Sequence, residues 1–172
     1  MLDLRPTLFD QPDAVRLIAE VQQVYRERYG DEDITPIDPR QFDPPYGHFV
    51  VGYADGTAVA CGGWRARDDG SDPALRAGDA EIKRMYVAGT HRGRGYARAV
   101  LAELERTATA AGRRRLVLET GTLQPEAMAL YASADYVRMP PFGAYRDAPG
   151  SRCYAKALDV VAPAGREAQY AG

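Results

Sequence analysis

The run Arg92-Gly93-Arg94-Gly95-Tyr96-Ala97 constrains this chain more tightly than any other stretch. It follows an apolar strand-like segment, Ile82 to Val87, and leads into a helix-like segment, Ala97 to Ala111. A strand that breaks at glycines and restarts as a helix leaves several backbone N–H groups unpaired at the helix start. With the positive end of the helix dipole behind them, those donors form a site for phosphate, and the two arginines add charge. The stretch therefore predicts a strand–loop–helix unit that grips a phosphorylated small molecule.

The segments around it set the rest of the fold. Leu2 to Leu8 reads as a short strand broken by Pro6. Asp10 or Asp13 is placed to cap a helix whose apolar positions, Val15, Ile18, Val21, Val24 and Tyr25, follow the three-and-four spacing of an amphipathic face. Gly30 to Gly47 is a long irregular connection, a class of segment that is often functional. His48 to Ala54 and Thr57 to Arg67 make a hairpin around the tight-turn pair Asp55-Gly56. Asp68 to Gly78 reads as a mobile surface loop, and Ala80 to Val87 as the next strand. Gly112 is positioned as a left-handed cap ending the helix after the glycine loop. Arg115 to Thr120 is a further strand, and Pro125 opens a helix to about Ser133. Tyr136 to Leu158 holds two more strand-like pieces. The expected fold is α/β, a mixed sheet with helices on both faces. Residues 1–160 form a single domain in this reading, and 161–172 a disordered tail.

Composition removes whole classes of function. A chain of 172 residues with 45% hydrophobic and 27% charged residues suits one globular domain. A formal charge of −2 argues against a nucleic-acid-tracking surface, and the short Arg-Gly run, framed by strand and helix, is unlike an RNA-binding segment. No stretch approaches the roughly 18 apolar residues that span a bilayer, and the N-terminus lacks a signal-peptide pattern, so a cytoplasmic location is expected. Cys61 and Cys153 are too few for a disulfide framework or a zinc site, and no metal is expected.

Two motifs then resemble one family. Ala80-Glu81-Ile82-Lys83-Arg84-Met85-Tyr86-Val87 followed by Arg92-x-x-Gly95-x-Ala97 is similar to the central motif of the GNAT superfamily of N-acetyltransferases. Downstream, Ala127-x-x-Leu130-Tyr131 and Asp135-Tyr136 resemble the family's second signature, with Asp135 in place of the usual Gly. The resemblance spans nearly the whole chain and looks closest to small single-domain bacterial members. It implies a GNAT-type acyl-CoA N-acyltransferase fold, with a central sheet whose strands splay to admit acetyl-CoA. It also implies that Met85, Tyr86 and Val87 offer backbone to the pantetheine, and that Arg92, Gly93, Arg94, Gly95, Tyr96 and Ala97 hold the pyrophosphate. Gln124 stands where many members have an Asn that touches the CoA arm. Dimers are common among such relatives, so a homodimer is an expectation by analogy.

Amine acetylation needs a base for the ammonium, a donor for the thioester oxygen and a proton for the departing thiolate. Glu81 is the first candidate base, its alternative being a strand-end carboxylate or partner of Arg84; Glu119 is the reserve. Tyr131 matches the family tyrosine that can protonate the thiolate, its alternative being a core aromatic. Arg84 is placed to neutralise an acceptor carboxylate, and Tyr29, Tyr46, Phe142 and Tyr145 offer aromatic walls. Trp64 is read either as a border of the acceptor pocket or as core. The acceptor expected is a small-molecule amine, an amino acid or related metabolite. A protein or peptide acetyltransferase and a non-catalytic acyl-CoA sensor stay open as alternatives.

Overall fold

A computed structural model of the chain describes residues 1–159, so the expectation of a disordered tail at 161–172 lies outside the described residues. The elements follow in the order β1 (Asp3–Pro6), α1 (Pro12–Tyr29), β2 (Gly47–Ala54), β3 (Thr57–Ala66), β4 (Asp79–Val87), α2 (Tyr96–Ala110), β5 (Arg115–Gly121), α3 (Pro125–Ser133), β6 (Val137–Arg138) and β7 (Ser151–Ala157). They build one seven-stranded sheet in the order β1-β2-β3-β4-β5-β7-β6. All neighbours are antiparallel except β4 and β5, which are parallel.

Local chemistry explains most boundaries. The β2–β3 hairpin turns on Asp55 and Gly56, both at positive φ (48° and 77°), the geometry a two-residue turn demands. Helix α2 ends on a Schellman motif. Gly112 lies at φ 76°, its N–H bonds Thr109 O at 3.0 Å, and the Arg113 N–H bonds Ala108 O at 2.9 Å. The start of α1 differs from expectation. Gln11, not Asp10 or Asp13, takes the capping position, with no side-chain cap; Pro12 opens the helix and Asp13 lies in its first turn.

The alternation of the strands divides apolar side chains between two cores. On one face Val50, Trp64, Ile82, Leu116 and Leu118 pack against Val100, Leu101, Leu104 and Ala108 of α2, with Tyr131 of α3. On the other, Phe49, Val51 and Cys61 meet Ala14 and Leu17 of α1 and Phe42 of a single 3-10 turn, Pro39–Phe42. Each buried Leu contributes about 2 kcal/mol, so α2 is clamped to the sheet. The loop expected to be mobile, Asp68 to Gly78, is tied at its start and near its middle. Asp68 accepts from Arg113 at 2.6 and 2.8 Å, and buried Asp72 accepts from Arg146 at 2.7 Å and from the Gly143 N–H at 2.9 Å.

Candidate active site

The parallel pair opens a cleft. Strands β4 and β5 are in register only at Asp79↔Arg115, Ala80↔Leu116 and Glu81↔Val117, yet β4 continues to Val87 and β5 to Gly121. A bulge helps to part them: Arg84 adopts φ 58°, and the β3–β4 register slips between Cys61 and Gly63. An extra residue on one strand bends it and increases its twist. A cavity of about 360 Å³ lies in the opening, lined by Ile82 to Met85 on one side and Leu118 to Gly121 on the other. Gln124, Ala127 and Tyr131 of the α3 region, with Tyr25, Tyr29, Asp33 and Tyr145, complete its wall.

The glycine loop leads from β4 into α2. Gly93 and Gly95 lie at φ 74° and 78°, and a Cβ at either would meet no protein atom within 4 Å. Glycine is therefore required by conformation, not by neighbouring protein atoms; other residues resist the left-handed region by about 1–2 kcal/mol. Gly95 occupies the N-cap with no side-chain cap, and the N–H groups of residues 93 to 97 have no partner among the described residues. Free donors at the head of a 15-residue helix fit a pyrophosphate. Arg92 donates from Nε to Val87 O at 3.2 Å, and the Tyr96 ring stacks on His91 at 6.5 Å.

Tyr131 is buried at the cavity wall, its hydroxyl 3.7 Å from the Met85 sulfur, and burial pushes its pKa upward, so the hydroxyl holds its proton. The two carboxylates separate. Glu81 is buried outside this cavity, and its Oε2 accepts from Arg65 Nε at 3.1 Å and Arg67 Nη1 at 2.5 Å. Its partners are thus Arg65 of β3 and Arg67 just beyond the strand, not Arg84. Glu119 lines the cavity, and its Oε1 accepts from Ser151 Oγ at 3.1 Å. Burial pushes the Glu119 carboxyl up to about 7, against the opposing pull of Lys83 and the Ser151 hydroxyl.

In the same cavity wall, Asp33 joins two cations. Its Oδ2 accepts from Lys83 Nζ at 2.7 Å and from Arg84 Nη1. Burial works against the Asp33 charge, but Lys83 and Arg84 outweigh it and hold the carboxyl well below the usual range. Arg84 lines the cavity, engaged by that carboxylate. Tyr29 reaches Gln124 Oε1 at 3.3 Å, and Tyr145 Oη accepts the Ile34 N–H at 2.8 Å, tying the 140s turn to the irregular segment. Gly121 permits the first of these, since a Cβ there would lie 2.2 Å from Tyr29 Oη. Three aromatics expected nearby lie elsewhere. Trp64 is a core residue bonded to Thr107 Oγ1 at 3.0 Å, because its position on β3 faces α2. Tyr46 is 68% exposed, and Phe142 is buried in a small core with Val117 and Cys153, borders a second cavity and leaves the first.

Sequence reasoning did not single out Asp33, Lys83, Ser151, Arg65 or Arg67. The signal available for Asp33 was its place in the long acidic connection; the others carried none beyond charge. No cluster of three or more His, Cys, Asp or Glu suited to a metal occurs among the described residues, and no helix there is long and apolar enough to cross a membrane.

Comparison with known proteins bears on this geometry. Residues 14–136 match the model of the Acetyltransferase (GNAT) family. The chain is 34% identical over 148 residues to an IAA acetyltransferase of Azospirillum brasilense, covering 86% of this chain and 92% of that protein. Among solved structures, a protein assigned as an acyl-CoA N-acyltransferase from Klebsiella pneumoniae subsp. pneumoniae superposes with a TM-score of 0.74 at 26% identity, over 92% of this chain and 98% of that one. An IAA acetyltransferase from Bacillus cereus shares the fold at a TM-score of 0.64 and 16% identity, over 92% and 100% of the two chains.

Proposed function

Because this chain belongs to the GNAT family of acetyltransferases, we propose that it moves an acetyl group from acetyl-CoA to the primary amine of a small molecule by direct attack in a ternary complex. The observation that carries this reading is the cavity between the diverging strands, with Glu119 and Tyr131 both in its wall. Bound acetyl-CoA supplies the thioester as acyl donor.

The chain's own residues divide the work. The loop N–H groups from Gly93 to Ala97 hold the pyrophosphate, with Arg92 and Arg94 adding charge and Tyr96 its place in the first turn. The unpaired edge of β4 at Met85, Tyr86 and Val87 offers backbone to the pantetheine as an added strand would, and Gln124 offers its amide beside it. A backbone N–H near Met85 faces the thioester oxygen. Glu119, whose carboxyl is pushed up to about 7, accepts the proton of the acceptor's ammonium, a well-matched transfer near neutral pH. The amine nitrogen bonds the carbonyl carbon, the C–S bond breaks, the Tyr131 hydroxyl gives its proton to the sulfur, and the second proton lost by the nitrogen restores the Tyr131 hydroxyl. Glu81, the other carboxylate in question, is occupied by two guanidiniums and serves better to hold them. Tyr29 and Tyr145 line the acceptor end, beside Arg84.

Thiol release from acetyl-CoA with a panel of small amines, amino acids, peptide N-termini and IAA tests the proposal. Amine-dependent release with small molecules supports it. Release with peptides alone moves the chain to peptide acetylation, and tight CoA binding without release to any acceptor makes it a sensor.

A further inference from the structure

A second cavity, of about 250 Å³, adjoins the first, and Lys83, Glu119 and Tyr145 line both. Its floor is one face of the sheet. Side chains of a strand alternate, so Arg65 and Arg67 of the β3 end share a face. The pairings Arg65↔Glu81 and Glu81↔Val117 place Glu81, Lys83 and Glu119 on it too.

The charges there do not cancel. Arg65 is fully used: it bonds Glu81, Pro36 O at 2.9 Å and Gln41 Oε1 at 2.8 Å. Arg67 spends only Nη1, on Glu81 at 2.5 Å, and its Nε and Nη2 have no partner among the described residues. One carboxylate thus faces two guanidiniums, while the single carboxylate of Asp33 is shared by Lys83 and Arg84. Asp69 also borders this cavity, but it is exposed and tied to Ser71, and solvent screens it. Positive charge is therefore in excess beside the second cavity.

We infer that the second cavity receives a carboxylate of the acceptor, gripped by the free Nε–Nη2 edge of Arg67, so that the acceptor is an amino acid with its amine at Glu119. A guanidinium edge matches a planar carboxylate through two parallel N–H···O bonds. The excess positive charge favours an anion there, and the planar edge favours a carboxylate. Glu81 is then a positioning residue that turns Arg67 and Arg65 towards the cavity. This inference rests on the amine-acetylation reading and is tested separately from it.

The experiment pairs L-phenylalanine with phenethylamine and L-leucine with isopentylamine, each with and without the carboxylate. Thiol release reports transfer; calorimetry with the CoA-bound protein reports binding. The wild type should favour each amino acid over its amine by about 10- to 100-fold in kcat/KM. Arg67→Met should collapse that ratio towards one, and Arg67→Lys should restore part of it. Glu81→Gln should raise KM for the amino acids more than it lowers kcat, a split that a merely destabilised fold would not give. Equal use of acid and amine by the wild type, or a ratio untouched in Arg67→Met, overturns the inference and leaves acetyl transfer standing. Arg67-dependent binding of the amino acids without thiol release overturns acetyl transfer and leaves the carboxylate site standing.

Discussion

Replacing Glu119 with Gln should slow the enzyme and stabilise the fold, with both effects governed by one proton. Burial lifts the Glu119 carboxyl from its ordinary value of 4.5 to about 7. Keeping it charged in the folded protein corresponds to roughly 3 kcal/mol, which partial exposure trims to about 2 kcal/mol. The sign follows from proton binding. The unfolded chain releases this proton near 4.5, the folded one near 7, so wild-type stability falls as pH rises through that window. Gln carries no charge and its oxygen can still accept from Ser151. Its advantage is therefore absent at about pH 4 and complete above about pH 7.5, where it should raise Tm by about 4–8 °C. Loss of a general base should lower kcat/KM by about 10²- to 10⁴-fold. With acetyl-CoA saturating, the wild-type pH–rate profile should rise with a midpoint near 7, and the variant should lack that limb while keeping the acceptor's own ionisation between about 8 and 10. A variant that keeps the limb near 7 removes Glu119 as the base. A Tm difference that does not open with pH refutes the burial argument itself.

Tyr131→Phe should lower kcat by about 10²-fold while calorimetry still detects CoA, because only the proton donor beside the Met85 sulfur is lost. Gly95→Val puts a branched side chain at φ 78° and should abolish CoA binding with an unchanged circular-dichroism spectrum; retained affinity would clear the loop of any role. Asp33→Asn strands Lys83 and Arg84 without a counter-charge and should cost about 3 kcal/mol in urea unfolding at pH 7. Because the folded carboxyl is held low, that gap is present above the unfolded value near 3.8 and should close only in strong acid, as the pH falls through the folded value.

The strand–loop–helix unit proposed to hold the donor was legible because it is local in sequence. The strand, the left-handed glycines and the unpaired helix start lie within residues 82–97, and the structure has the same order. Hairpin, Schellman cap and left-handed Asp135 at φ 67° follow from short-range chemistry in the same way. Two features were out of reach for a physical reason. The direction of Trp64 depends on the phase of β3 relative to α2, which a strand buried on both faces does not display. Likewise Glu81 could not be assigned its partners without the β3–β4 register, since Arg84 is nearer in sequence but Arg65 lies directly opposite.

The acceptor half illustrates a more general limit. Arg65, Arg67, Glu81, Lys83 and Glu119 recur at alternate positions of three strands, a pattern that ordinarily marks the solvated face of a half-buried sheet. Here Pro36, Gln41 and the turn from Phe142 to Tyr145 cover that face, so charges patterned for water are enclosed instead. Enclosing them costs stability, and the ion pairs of Glu81 and Asp33 offset only part of it. A sequence selected for stability alone would replace this row by apolar residues. The fold keeps the charges, leaves the Nε–Nη2 edge of Arg67 unspent and pushes one carboxyl towards neutrality, all around a single junction between two cavities. That departure from local consistency is what supports the proposed acceptor site, and it becomes visible only when the register brings the three strands together.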